Sequence, residues 1–94
     1  EIELQDEVLE IGVGAGTLTK ALASKAKKVV GYEMDKTLFD VLSLSLKGFD
    51  NISIVFKDFL KTTSQEVNNL FDGRYKVVAN LPYYITTNII FALI

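Results

Sequence analysis

Two segments near the start of the chain carry residue types and spacings that could bind a ligand. The segment EIGVGAGTLT holds Gly12, Gly14 and Gly16 as G-x-G-x-G. Glycines at this spacing let a loop turn tightly and let its backbone amides approach a ligand closely. About 20 residues further on, Glu33 in GYEMD stands where nucleotide-binding folds place the carboxylate that accepts hydrogen bonds from ribose hydroxyls. Together with a third segment, FKDFL, they predict a site for an adenosine-containing cofactor.

A third segment, FKDFL, adds residues that suit the purine part of such a cofactor. Asp58 can accept a hydrogen bond from an exocyclic amine, or it can cap the helix that follows. Phe59 can pack against a purine ring, and so can Met34 beside Glu33. Both side chains would also serve as ordinary core residues. The two interpretations stay open for each of the three residues.

The glycine spacing separates two candidate cofactors. NAD-binding folds usually carry G-x-G-x-x-G, but Thr17 occupies the position of the third glycine in that pattern. G-x-G-x-G with an acidic residue downstream favours S-adenosylmethionine. A nicotinamide-dependent oxidoreductase is the less favoured alternative.

The fourth segment, NLPYYIT, can hold a methyl acceptor. Adenine N6 is a poor nucleophile until both of its N–H groups are held, and the Asn80 side chain and the Leu81 main-chain carbonyl are suitable acceptors. Pro82 restricts Leu81 to extended geometry, and Tyr83 can stack on a base that has left its own stack. Alignment alone can then supply most of the catalysis, without a strong base. The alternative is a turn whose tyrosines cover a core edge.

Short β-rich runs alternate with helical patterns along the whole chain. The predicted strands are 6–12, 27–33, 51–58 and 74–81, and the predicted helices are 16–26, 35–48 and 62–71, with a fourth helix beginning within 86–94. This alternation predicts an α/β fold with a parallel sheet and right-handed crossovers. Such sheets bind ligands at the carboxyl ends of their strands. Each of the four segments follows a strand, so we expect them to meet at one edge.

Composition excludes several kinds of site. The chain has no cysteine and no histidine, which removes disulfides, a thiol nucleophile, a histidine base and the usual zinc ligand sets. We therefore expect no metal site. No apolar run approaches the length of a membrane span, and we expect a cytoplasmic protein. The net charge of −2 does not favour a nucleic-acid surface, and the cluster Lys25, Lys27 and Lys28 is typical of a solvated helix end.

Taken in order, VLEIGVGAGTLT, YEMD, KDFL and NLPYYIT resemble the successive motifs of the ribosomal RNA adenine dimethyltransferases. This family comprises the small-subunit dimethyladenosine transferases, with the erythromycin-resistance methyltransferases as relatives. The resemblance covers nearly all 94 residues. It implies a Rossmann-like class I S-adenosylmethionine-dependent methyltransferase fold, of which this chain would hold the N-terminal part of the parallel sheet.

The resemblance also implies roles for single residues. S-adenosylmethionine would be bound by Gly12, Gly14, Gly16, Glu33, Met34, Asp58, Phe59 and Asn80. The target adenine would be held by Asn80, Leu81, Pro82 and Tyr83. The implied reaction is two successive methyl transfers to N6 of adenines in small-subunit ribosomal RNA, within the immature small subunit. Alternatives are a large-subunit methyltransferase that confers macrolide resistance, and a non-catalytic module that binds RNA or protein.

The chain departs from the family pattern in two residues and in length. Val13 and Asn88 stand where the family commonly has proline, and the valine is expected to loosen the glycine loop. We expect residues 1–94 to be the cofactor-binding core of a longer protein, without its N-terminal lid, later strands and C-terminal helical domain, and inactive alone. The fourth predicted strand would then be an uncovered edge beside the first, through which the fragment would self-associate.

Overall fold

Five strands form one sheet in the part of the chain that the structure, a computed structural model, describes. That part is residues 2–80 and 89–93. The strands are β1 Glu7–Ile11, β2 Lys28–Glu33, β3 Ile52–Phe56, β4 Lys76–Asn80 and β5 Ile89–Leu93. Their order across the sheet is β3-β2-β1-β4-β5. The first four are parallel and β5 is antiparallel to β4, which confirms the predicted α/β fold and the position of β4 beside β1.

Three short helices connect the parallel strands. They are α1 Thr17–Ala23, α2 Phe39–Ser45 and α3 Ser64–Asn68, and single 3₁₀ turns occur at Lys36–Leu38 and Phe59–Lys61. Each helix is shorter than its predicted segment. The start of α3 is fixed by a capping box, in which Thr63 and Glu66 each accept the other's backbone N–H.

The central strands β1 and β2 are buried on both faces, as is usual for parallel strands that helices cover. Val8 and Val29 pack beneath α1, against Leu22. Leu9 and Val30 point to the opposite face, where α3 covers them. Each fully buried valine or leucine contributes about 1.5–3 kcal/mol through burial of its side chain. This packing gives the loops at the strand ends a rigid base.

The last strand corrects the prediction of a fourth helix. Residues Ile89–Leu93 form β5, which pairs with β4 so that Asn80 lies opposite Ile89. A short apolar run rich in β-branched residues suits a strand as well as a helix, and pairing satisfies the backbone groups of β4 that would otherwise be exposed. The expected uncovered edge of β4 is therefore covered, and the argument for self-association through it no longer holds.

Within residues 2–80 and 89–93, no helix has the length and apolar character needed to cross a membrane. In the same part of the chain, no group of three or more acidic side chains is placed to hold a metal ion.

Candidate functional site

The loops that follow β1, β2 and β3 lie at one edge of the sheet together with the carboxyl end of β4, and we call this the carboxyl edge. The loop after β1 is built from Gly12, Gly14 and Gly16, whose φ angles are 86°, 62° and 92°. Residues other than glycine rarely adopt this left-handed backbone conformation. Apart from its chain neighbours, no atom of the described residues lies within 4 Å of a Cβ added to Gly14, so among those residues the space over the middle of the loop is open.

The glycine loop is fixed to its surroundings at several points. The Gly12 N–H donates to the carbonyl of Tyr32 at 2.9 Å, and the Gly16 N–H donates to the carbonyl of Val13 at 3.2 Å. The Ser45 hydroxyl on α2 donates to the carbonyl of Ala15 at 3.2 Å. The loop is therefore held from β2 on one side and from α2 on the other.

Glu33 lies at the end of β2 and contacts the glycine loop directly. Its Oε1 accepts the Gly14 N–H at 2.7 Å, and its Oε2 accepts the Asp35 N–H at 2.9 Å. The residue is only 9% exposed. Each carboxylate oxygen has a second lone pair, so Glu33 can still accept hydrogen bonds from the hydroxyls of a ligand. The structure thus brings together the two features from which the sequence predicted a ribose site.

A second buried carboxyl group, Glu10, was not anticipated from the sequence. It lies in the middle of β1 with no exposed surface, and its Oε1 accepts the hydroxyl of Thr19 on α1. Its Oε2 has no hydrogen-bond partner among the described residues. Burial raises the pKa of Glu10 from 4.5 to about 7, the Thr19 hydrogen bond opposes that rise, and the negative charge of Glu33 adds to it. The sequence feature that could have identified Glu10 is a carboxylate beside the apolar residues of a predicted buried strand.

Asp35 and Met34 follow Glu33 in the loop after β2. The Asp35 carboxylate accepts from the backbone N–H and the hydroxyl of Thr37, at 3.0 and 2.6 Å, and so caps the first turn toward α2. Met34 is 66% exposed. An exposed thioether beside Glu33 is not a core residue, and this leaves its flexible side chain free to cover a flat ring.

The loop after β3 shows a local role for each of its two predicted residues. Asp58 Oδ1 accepts the Leu60 N–H at 3.0 Å and caps the 3₁₀ turn. Phe59 is half-buried and meets the ring of Tyr32 edge to face, with the ring centroids 5.1 Å apart. The helix-cap and core interpretations thus have contacts in the structure. Neither contact removes the remaining acceptor capacity of Asp58.

Asn80 is the last residue of β4, next to the strand that leads into the glycine loop. Ile11 of β1 pairs with Ala79, so Asn80 follows at the level where Gly12 opens the loop. The other predicted residues of the adenine pocket, Leu81, Pro82 and Tyr83, lie outside the described residues.

The carboxyl edge therefore combines an open glycine loop, two carboxyl groups and an asparagine position at the ends of adjacent strands. In the described residues no salt bridge reaches Glu10, Glu33, Asp35 or Asp58. Such an edge can accept hydrogen bonds from hydroxyl and amine groups.

The chain is similar in sequence to proteins of one known family. The family model described as ribosomal RNA adenine dimethylase matches residues 1–94. The chain is 46% identical over 93 residues to ribosomal RNA small subunit methyltransferase A of Pediococcus pentosaceus, covering 96% of this chain and 31% of that protein. It is 48% identical over 92 residues to the protein of the same name from Caldanaerobacter subterraneus, with 96% and 34% covered. The chain thus spans about a third of the length of these relatives.

Solved structures agree with the sequence matches. A dimethyladenosine transferase from Plasmodium falciparum superimposes with a TM-score of 0.68 and 32% identity, over 90% of this chain and 29% of that one. The 23S rRNA methyltransferase ErmE gives a TM-score of 0.62 and 28% identity, over 86% and 42%. These matches confirm the class I methyltransferase fold. The chain therefore belongs to the ribosomal RNA adenine dimethylase family.

Proposed function

We propose that the intact protein transfers methyl groups from S-adenosylmethionine to N6 of adenines in small-subunit ribosomal RNA. Family membership supports the reaction class, and relatives 46–48% identical are named small-subunit methyltransferases. The observation that carries the proposal is the hydrogen bond of 2.7 Å between the Gly14 N–H and Glu33. It joins the glycine loop and the acid into one surface that begins beside the end of β4.

The described residues fit the proposed cofactor. The open space over Gly14 leaves room for a ligand against the loop backbone. Glu33 has lone pairs for ribose hydroxyls, Asp58 has capacity for the adenine amine, and Met34 and Phe59 lie beside them for the ring. S-adenosylmethionine, when bound, supplies an activated methyl group on a positively charged sulfur. Glu33 and Asp58, which form no salt bridge in the described residues, would attract such a cation.

The proposed task of the NLPY segment is to hold and orient the acceptor. The Asn80 side chain and the Leu81 carbonyl would accept the two N–H groups of adenine N6, Pro82 would brace the turn, and Tyr83 would stack on the base. Alignment of this kind can supply roughly 7–11 kcal/mol of the barrier. Asn80 would also contact the cofactor, because it ends the strand beside the one that leads into Gly12.

The chain is about a third as long as the relatives it matches, which bears on how it would act. We propose that residues 1–94 act as the cofactor-binding core of a longer protein and are inactive alone, because the chain spans about a third of its curated relatives. The partner would be the immature small ribosomal subunit, and the reaction would take place in the cytoplasm. Two methyl groups per adenine follow from the family description.

The test uses the intact protein, S-adenosylmethionine and immature small subunits, with dimethyladenosine measured by mass spectrometry of the digested RNA. Asn80→Ala is expected to lower the rate by about 100-fold or more, since acceptor bonds made at the reacting nitrogen are lost. Asn69→Ala, at an exposed asparagine ending α3, is the matched control and should keep the rate. Full activity of Asn80→Ala would overturn the role given to Asn80.

A second acceptor is tested in the same assay, because the ErmE structure at 28% identity is a 23S rRNA methyltransferase. Large subunits offered in place of small ones should remain unmethylated. Methylation of large subunits but not of small ones would show that the acceptor is large-subunit RNA and would overturn the proposed acceptor. Cofactor binding without methylation of either subunit would favour a non-catalytic binding module.

A further inference from the structure

Val13 is a buried side chain inside the glycine loop. It lies between Gly12 and Gly14 and is 3% exposed. It packs in one hydrophobic cluster with Leu42 of α2 and with Leu46, the residue that follows α2. A residue in a ligand-binding loop is usually solvated, so its burial calls for a physical reason.

Gly31 provides the space that Val13 occupies. A Cβ on Gly31 would lie 2.4 Å from Val13 Cγ2 and 3.1 Å from Ile54 Cδ1. Its backbone φ lies outside the left-handed region, so conformation does not demand glycine at this position. Glycine in a strand interior costs about 0.5–1 kcal/mol relative to alanine, and it often marks a close approach by another part of the chain. Here the approaching group is Val13.

The position of Val13 determines that of its neighbours in the loop. Gly14 donates to Glu33 at 2.7 Å, and Gly16 donates to the Val13 carbonyl at 3.2 Å. Proline at this position would fix the loop by restricting its own φ angle, and valine was therefore expected to loosen the loop. Valine has no ring, so another restraint must replace it.

We propose that Val13 and Gly31 form an interlock that positions the glycine loop for cofactor binding. The valine side chain inserts into the gap over β2 and sets the distance between the Gly14 amide and Glu33. Packing thus does what the ring of proline would do. Val13 and Gly31 are positioning residues, and the link to binding rests on the proposed function.

The experiment is a mutant cycle in the intact protein with Gly31→Ala, Val13→Ala and the double variant. Hydrogen exchange of the Gly14 amide is measured without cofactor, and the affinity for S-adenosylmethionine is measured by calorimetry. Gly31→Ala should push the loop outward, speed Gly14 exchange about 10-fold or more and weaken binding by about 10- to 100-fold, as small misplacements do. The double variant again has room for the loop. Its Gly14 exchange rate and its affinity for S-adenosylmethionine should lie within about threefold of those of Val13→Ala.

The matched control is Gly73→Ala, where no atom of the described residues other than its chain neighbours lies within 4 Å of the added Cβ; both readouts should stay at the wild-type values. Wild-type exchange and affinity in Gly31→Ala would overturn the interlock, and so would a double variant no better than Gly31→Ala. If Gly31→Ala does not fold, a folded double variant supports the interlock and an unfolded one overturns it. If the wild type binds no S-adenosylmethionine, the proposed function fails while Gly14 exchange still tests the interlock.

Discussion

The two ends of the parallel strands use their charges in different ways. At the start of the strands, which we call the amino edge, carboxylates are paired with lysines: Asp6 with Lys76 at 2.8 Å, and Glu7 with Lys27 at 3.6 Å. At the carboxyl edge, Glu10 and Glu33 are bonded to a hydroxyl and to backbone amides. No salt bridge in the described residues neutralises either of them.

This difference suggests that the amino edge serves to connect elements of the fold and the carboxyl edge serves to bind a ligand. Paired charges at the amino edge connect elements, as when the Asp72 N–H before β4 donates to Glu7 at 3.0 Å. Unpaired carboxyl groups at the other edge repel each other and carry a desolvation penalty. A ligand with hydroxyl groups and a positive charge would relieve that penalty. The two edges should therefore respond to pH in opposite directions.

The largest expected effect is the pH dependence that Glu10 imposes on folding. Its pKa rises from 4.5 to about 7, mainly through burial, so the folded chain holds a proton that the unfolded chain has released. Stability from this group is complete below about pH 4.5 and is lost as the pH rises through about 7. At 1.36 kcal/mol for each pH unit, the loss amounts to about 3 kcal/mol.

Urea unfolding of the wild type and of Glu10→Gln, from about pH 4 to pH 8, checks this prediction. Glutamine keeps the shape and can still accept from Thr19, but it does not titrate. The variant should gain stability relative to the wild type as the pH rises. Parallel pH profiles for the two proteins would show that Glu10 does not carry the proton.

The next effect compares two carboxylates of similar burial, one at each edge. Glu33 is 9% exposed and Glu7 is 5% exposed, and each accepts a backbone N–H. Glu33→Gln replaces one acceptor oxygen with an amide NH2 group, a donor that would face the N–H of Gly14 or Asp35. We expect the affinity for S-adenosylmethionine to fall about 10- to 100-fold, since bonds to a charged acceptor contribute about 1.5–3 kcal/mol.

Glu7→Gln is the matched control for Glu33→Gln. It removes the charge that faces Lys27 but keeps an oxygen for the Asp72 N–H. Its free energy of unfolding should fall by about 0.5–1 kcal/mol, with cofactor affinity unchanged in calorimetry. Equal losses of affinity in both variants would contradict the division between the edges.

The sequence predicted the edge itself better than it predicted the contacts there. Alternating strands and helices require parallel strands, and parallel strands bring their carboxyl ends to one side. Gly14 and Glu33, 19 residues apart, therefore could be expected to meet, and they do. The contact of Glu10 with Thr19 could not be predicted from the order of elements, because it depends on how α1 packs over β1.

Other differences have equally local causes. The range predicted for the second helix does not say which face is buried: Val41 is 47% exposed, whereas Leu42 and Leu46 are buried. A helix of two turns rotates easily to suit its neighbours, and here Val13 fills the space beneath it. The strand β5 was missed because a short apolar run fits a helix or a strand equally well. Pairing with β4 decided between them.

The smallest expected effect lies at the amino edge and has the opposite sign to that of Glu10. Hydrogen bonding to Lys76, then the Glu3 N–H, lowers the pKa of Asp6 below 3.8. Its contribution is present above about pH 4 and is lost as the pH falls through the lowered pKa. Asp6→Asn should therefore reduce stability slightly near neutral pH and leave it unchanged in acid. Added salt should shrink the difference, because the pair is partly solvated, and affinity for S-adenosylmethionine should not change. A loss of stability that persisted in acid or at high salt would mean that Asp6 acts through its bond with the Glu3 N–H, 2.8 Å long, and that pairing with lysine contributes little to the amino edge.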